Sequence, residues 1–328
     1  MPLYINSLGA SFGQFEISNS LVTQAGLHVD LSTYIQSRRT NLFNPQAGEI
    51  TISEWFKKSS KDKLMAFPSA TTEMGQLAVE NALFNAEIAA DKLGLVVGDS
   101  ATVYEVTPSE GQRITGKLGL KIPCYDLTSG AGAFIVHIDS MRKWKLDKFP
   151  EYACCVSANS ASHLIGDDNP ISLNFSDAAS AVILSMEHVG KFEVIDSGIL
   201  LRSSLVNSVQ IEKFGNLKIN PALYSELVKK GTAESLEVLT GKYSSNFKNS
   251  YFVGSQMFFE ETSQIAKQSG FDSSKCLSLG SNLGDSIGSN PAAIISQNIN
   301  LMKKDDLIFV VQSGIGFTGG YVVLKTVR

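Results

Sequence analysis

The sequence predicts an α/β fold made of two similar halves, and three observations lead there. Strand-like and helix-like segments alternate along the chain, the pattern of proteins built from βαβ units. A weak internal repeat returns at an offset close to half the chain length. Third, 328 residues with 43% hydrophobic content are enough to bury a large core between two packed halves.

Each element has its own signal. Met74, Ala78, Ala82, Ala86 and Ala89 recur at helical spacing, and Leu77, Phe84 and Ile88 are expected to widen that apolar stripe. Leu93-Gly94-Leu95-Val96-Val97 is a short apolar run of the kind found in a strand covered on both faces. Pro291 sits near the start of a helix carrying Ile294, Ile295 and Ile299, where its missing N–H costs nothing. After the charged turn Lys303-Lys304-Asp305-Asp306, Leu307-Ile308-Phe309-Val310-Val311 reads as a second buried strand. The repeat pairs Val96-Val97-Gly98-Asp99 with Phe252-Val253-Gly254-Ser255. Downstream, Gln112, Ile114, Lys117 and Gly119 pair with Gln264, Ile265, Lys267 and Gly270.

Composition removes several function classes. A formal net charge of −4 argues against non-specific nucleic-acid binding, which needs a basic excess to displace counterions. The basic segment Arg142-Lys143-Trp144-Lys145 reads as a solvated helix end, with an acidic carrier protein as the alternative partner. No apolar run approaches the roughly 20 residues a membrane-spanning helix needs. Met1-Pro2-Leu3-Tyr4-Ile5 lacks the basic region and apolar stretch of a signal peptide, so a cytoplasmic location is expected. Cys124, Cys154, Cys155 and Cys276 are too few and too irregularly spaced for a disulfide framework or a zinc site, and buried free thiols are expected. No phosphate-binding glycine motif or metal-ligand cluster is present, so neither cofactor nor metal is expected.

The stretch Tyr125-Asp126-Leu127-Thr128-Ser129-Gly130-Ala131-Gly132-Ala133-Phe134 resembles the strand-to-helix elbow of the β-ketoacyl synthase III family, within the thiolase superfamily. Other segments follow in the family's order. They are Ile5-Asn6-Ser7-Leu8-Gly9-Ala10 with Glu16-Ile17-Ser18-Asn19, Pro108-Ser109 with Lys117-Leu118-Gly119-Leu120, Phe175-Ser176-Asp177-Ala178-Ala179-Ser180-Ala181, and the glycine-rich Ser313-Gly314-Ile315-Gly316-Phe317-Thr318-Gly319-Gly320. The resemblance implies a thiolase fold: two duplicated βαβαβ halves in a five-layer αβαβα arrangement, expected at 1–170 and 171–328.

The same resemblance locates the chemistry the family uses. Its nucleophilic cysteine falls on Ala131, its histidine on Ser255 in Ser255-Gln256-Met257-Phe258, and its asparagine on Asp285 in Gly284-Asp285-Ser286-Ile287. A methyl group cannot attack a thioester. An aspartate opposes the negative charge that an oxyanion must carry, unless it is protonated. Gly314 and Gly316 stand in the loop whose backbone N–H groups would complete an oxyanion hole. Ser129, two residues before Ala131, has no histidine placed as its base, and His137 is expected to pack or cap. His163, in a loop-like segment, is the one histidine retained as a candidate; Asp126 is expected to be structural.

These losses imply a non-catalytic subunit. It would pair as a heterodimer with a cysteine-bearing ketosynthase III homologue and shape that partner's acyl tunnel, in fatty-acid-like or secondary-metabolite synthesis. The inactive chain of alkylquinolone-forming synthases is a precedent that the resemblance supplies. Acyl carrier protein or acyl-CoA would be further partners. The loop Tyr104-Glu105-Val106-Thr107 is where side chains would reach the partner, with Thr107 the candidate. Two alternatives stay open: an acyltransferase or ketosynthase with altered chemistry acting on acyl-CoA or acyl-carrier-protein thioesters, and a homodimeric acyl-binding scaffold.

Overall fold

The computed structural model describes residues 2–13, 15–16, 38–39, 70–103, 105–161, 175–201, 209–211, 217–219, 221–279, 283–314 and 318–328. His163, Gly316 and Tyr104 lie outside the described residues. The elements are β1 (Leu3–Phe12), β2 (Phe15–Glu16), β3 (Arg38–Arg39), α1 (Ala70–Ala86), β4 (Leu93–Asp99), α2 (Glu110–Lys117), β5 (Cys124–Asp126), α3 (Ala133–Arg142), β6 (Tyr152–Asn159) and β7 (Ala178–Ser185). There follow β8 (Phe192–Leu201), β9 (Val209–Ile211), β10 (Leu217–Ile219), α4 (Pro221–Tyr243), β11 (Tyr251–Val253), α5 (Phe259–Gln268), β12 (Cys276–Leu277), α6 (Asn290–Gln297), β13 (Leu307–Ser313) and β14 (Thr318–Thr326).

Ten strands hydrogen-bond in the order β12-β11-β13-β14-β8-β1-β7-β6-β4-β5. Outward from its centre, the first half reads β1-β7-β6-β4-β5 and the second β8-β14-β13-β11-β12. Each half therefore places its own first, fifth, fourth, second and third strands in sequence. The sense matches as well: β4 is parallel to β5 and β6, and β11 to β12 and β13, whereas β7 and β14 run antiparallel to their neighbours. The helices complete the duplication, with α1, α2 and α3 occupying the chain positions of α4, α5 and α6. The repeat seen in the sequence falls on equivalent parts, Gly98-Asp99 ending β4 and Gly254-Ser255 following β11. The first set of strands closes at Ser185 and the second opens at Phe192.

The layers follow from which faces are apolar. α1 and α2 pack on the outer face of the first half, and α4 on the outer face of the second with α5 beside it. Between the halves lie α3, against β8 and β14, and α6, against β1, β7 and β11. This is the five-layer αβαβα arrangement of the thiolase fold. α3 is buried along most of its length, as is α6, because each meets a sheet on both sides. Their contacts join Leu3, Ile5, Phe134, Ile138, Phe192, Ile294 and Val310 in one central core. On the outer face of the second half, Phe247 stacks on Phe271 at 4.4 Å between centroids, and both pack edge-on to Phe309. Each such ring contributes about 1.5–3 kcal/mol by leaving water.

α1 departs from the expected stripe. Its buried face is Met74, Ala78, Val79, Ala82 and Leu83, whereas Leu77 and Phe84 are 47% and 82% exposed. Small residues decide the face, because α1 lies directly on β1. A Cβ at Gly9 would overlap the Ala78 carbonyl and the Ala82 amide. α2 is set by a capping box: Ser109 Oγ accepts from Gln112 N, and Gln112 Oε1 accepts from Ser109 N. Pro291 occupies the first turn of α6, as the sequence predicts. Cys154 and Cys155 are buried, while Cys124 and Cys276, on the edge strands β5 and β12, are only half-buried.

Gly9→Ala should destabilise the protein by about 2–3 kcal/mol, because the helix backbone cannot move aside. Gly116→Ala, in α2 with nothing near its Cβ position, should be neutral or stabilising by about 0.5–1 kcal/mol. Urea midpoints of the two variants against the parent check this pair.

Candidate functional site

The site lies where the two central helices begin. β5 ends at Asp126, and the chain turns through Gly130, at φ +53°, into α3. Asp126 ties this turn to the neighbouring helix by accepting from Glu110 N at 2.9 Å and Gly111 N at 2.7 Å, which caps the start of α2. The equivalent segment after β12 carries Gly284, Asp285 and Ile287 into α6. Duplication therefore brings two helix N-termini, each with unpaired backbone N–H groups, to one place.

Gly288 allows them to approach. A Cβ there would stand 2.7 Å from the Gly130 carbonyl, 2.7 Å from Asp99 Oδ2 and 2.6 Å from Ser157 Oγ. Ala131 is 6% exposed and packs with Ala161, Phe175 and Ile287, with Met257 against the cluster. Gly314 closes over it, since a Cβ at Gly314 would overlap the Ala131 methyl. Ala131, Asp285 and Gly314 thus share one small region. Ser255 is buried at the end of β11, two residues before Met257, whose N–H donates to Asp285 Oδ2 at 3.1 Å. Thr107 lies apart in an exposed loop with Val106.

Asp285 is committed to holding its own loop. Its Oδ1 accepts from Ile287 N at 2.6 Å, and Ser176 N donates to its carbonyl at 2.9 Å. Ser176 Oγ in turn accepts from Gly284 N at 2.7 Å. Ile287 is a β-branched residue at φ +59°, an unfavourable conformation of order 1–3 kcal/mol that its bond to Asp285 helps to hold. Burial pushes the Asp285 carboxyl up to about 6, partly offset by donation from Ile287, Asn290 and Met257. Tyr224, buried beside it with its ring edge-on to Phe258 at 5.3 Å, has its phenol pushed up by burial and by the Asp285 charge.

Sequence reasoning missed Asp99. It ends β4, is fully buried, and accepts from Ser129 N at 2.9 Å and from Ser157 Oγ at 2.7 Å. Asn159 Nδ2 donates onward to Ser157 Oγ at 3.1 Å. Burial pushes the Asp99 carboxyl up to about 6 and the Asp126 charge adds to this, against donation from Ser157, Ser129 and Gly130. The only sequence signal was its place in the internal repeat, opposite Ser255. His137, buried in α3, donates from Nε2 to the Leu127 carbonyl at 2.9 Å, and burial pushes its imidazole down to about 4. It is a packed, neutral residue at physiological pH. Burial also pushes the Cys154 thiol up to about 12, so it is inert near neutral pH. Among the described residues no group of side chains could hold a metal ion, and no helix is long and apolar enough to cross a membrane.

Asp99 and Asp285 both carry folded values above the ordinary carboxylate range. Their stabilising contribution is complete below about pH 4 and is lost as pH rises through about 6. For each, the loss at pH 7 is of order 3 kcal/mol. Asp99→Asn removes one such titration, and the Ser157 hydroxyl can turn to accept from the new amide. The variant's Tm should therefore gain on the parent's between pH 4 and pH 7, with a constant difference above that.

Comparisons with known proteins agree with this architecture. No protein-family model matches the chain. A β-ketoacyl-[acyl-carrier-protein] synthase III from Chlamydia pneumoniae is 20% identical over 301 residues, covering 84% of this chain and 90% of that protein. The crystal structure of 3-oxoacyl-(acyl carrier protein) synthase III from Pseudomonas aeruginosa PAO1 superposes with a TM-score of 0.81 at 15% identity, covering 100% of this chain and 99% of that one. OleA from Xanthomonas campestris, crystallised with lauric acid and lauroyl-CoA, superposes with a TM-score of 0.80 at 14% identity and covers 99% of both chains. The protein is ketosynthase III-like: it has the thiolase fold and resembles the β-ketoacyl synthase III family.

Proposed function

We propose that this chain is a non-catalytic ketosynthase III-like subunit that pairs with a cysteine-bearing homologue and shapes its acyl tunnel. The observation that carries the reading is Ala131, a methyl group packed among Ala161, Phe175 and Ile287 at the tip of the elbow. Acyl transfer through a covalent intermediate needs a nucleophile there, with donors aimed at the developing oxyanion. Asp285 instead presents an acceptor whose oxygens are already bonded to Ile287 and Met257. Ser255 supplies a short hydroxyl in place of an imidazole. Gly314 keeps the backbone close approach that the oxyanion loop would use, with Gly316 as its second member.

Exposed surface next to the site supports pairing. Among the described residues β5 is a terminal strand of the sheet, with one side unpaired, and its Tyr125 is 40% exposed. In the loop after β4, Val103 is 41% and Val106 90% exposed, with Thr107 beside them. An open strand edge flanked by apolar side chains is a template for another chain. The duplicated halves are the unit that would dock, and the acyl group would belong to the partner's chemistry. OleA binds lauroyl-CoA, which makes a fatty acyl thioester the substrate class to try first.

Co-expression with a cysteine-bearing homologue from the same cell should give a co-purifying complex. Tyr125→Lys should weaken that complex at least tenfold by size-exclusion or light-scattering titration. Intact-mass spectrometry of the chain alone with acyl-CoA and acyl-carrier-protein thioesters should show no adduct. An acyl group on Ser129 or on a cysteine would favour the altered-chemistry enzyme, and loss of all pairing would overturn the subunit reading.

A further inference from the structure

We infer that Asp99 is a built-in anion beneath the turn Gly130–Gly132 that leads into α3, so that a cysteine placed at position 131 would not by itself give a reactive thiolate. The inference rests on the non-catalytic reading of the site and adds a second, independent obstacle to catalysis. A helix N-terminus favours negative charge because its first N–H groups are unpaired and its dipole is positive there. In a thiol enzyme of this shape, that field would lower the thiol pKa.

Here the field is already taken. Asp99 accepts from the backbone N–H groups of Ser129 and Gly130, the residues immediately before Ala131. Its other donor, Ser157 Oγ, comes from β6 and is held in turn by Asn159. The second central helix is treated alike. Asp285 accepts from Ile287 N, and Asn290 Oδ1 accepts from Ser286 N at 2.9 Å and Ser286 Oγ at 2.6 Å. The turns that lead into both central helices are therefore bonded by the chain's own side-chain oxygens.

The surrounding charges point the same way. Asp99 comes from β4, Asp126 from β5, Glu110 from α2 and Asp285 from the loop before α6; His137 in α3 is neutral. Glu110 Oε1 accepts from Thr72 Oγ1 at 2.6 Å. Among the described residues no lysine, arginine or histidine forms an ion pair with Asp99, Asp126 or Asp285. A thiolate at position 131 would lie beside Asp99, which accepts from the two residues before it.

The test is the pH titration of thiolate absorbance near 240 nm in Ala131→Cys, with the parent protein's signal subtracted. Burial holds Cys154 and Cys155 high, which keeps that background small near neutral pH. The new thiol should titrate at or above the ordinary value of about 8.5. Adding Asp99→Asn should lower it by at least one unit, a tenfold rise in thiolate fraction at neutral pH. Asp99→Ser, which also removes the charge, gives a second comparison, and near-ultraviolet circular dichroism confirms the fold of each variant. A thiol already titrating below about pH 7.5 in Ala131→Cys alone would overturn the inference. So would identical titrations with and without Asp99. If neither Asp99 variant folds, a thiol below about pH 7.5 in Ala131→Cys alone still overturns the inference. No partner chain takes part, so either result leaves the pairing experiment to be judged separately.

Discussion

The close approach of α3 and α6 is the constraint from which the rest of the site follows. Gly288 lacks a side chain where one would strike the Gly130 carbonyl, Asp99 and Ser157 together. That contact fixes the elbow against the opposing loop and leaves no room for a side chain at position 288. Once the two helix starts are this near, their exposed N–H groups must be satisfied inside the protein, because an unpaired buried donor costs about 1–3 kcal/mol. Asp99, Asp285 and Asn290 accept from four of them, and Ser157 in turn donates to Asp99.

This chain therefore bonds the turns before its two central helices with fixed carboxylates. A catalytic helix N-terminus is useful because it waits for charge that develops during the reaction. A site whose donors are already bonded gains nothing further when such charge arrives. The apolar packing of Ala131 with Phe175 and Ile287 agrees with that arrangement, since it favours dense contact over access.

Much of the fold was legible because it depends on patterns that survive divergence. The apolar strand at Leu93–Val97 and the proline-started helix near Pro291 are where periodicity and helix-start chemistry put them, and the repeat joined equivalent ends of β4 and β11. α1 was only half legible: Leu77 and Phe84 fit a helical stripe, but face choice came from Gly9 admitting Ala78 and Ala82, a contact between segments distant in sequence. At the site, Ala131 and Asp285 were singled out by the resemblance to the family's motifs, and the structure brings them into one region. Asp99 was not, because nothing in Gly98-Asp99-Ser100 announces that its carboxylate will be buried under a turn thirty residues on.

The seam between the halves has a mechanical meaning. β1 meets β8 through Leu3 opposite Val194, Tyr4 opposite Glu193 and Ile5 opposite Phe192, and Leu3, Ile5 and Phe192 are wholly enclosed there. Hinge motion at that line would break ladder bonds and wet three large apolar side chains at once, so it carries a high free-energy barrier. The two halves are accordingly joined as one stiff body rather than as two jaws.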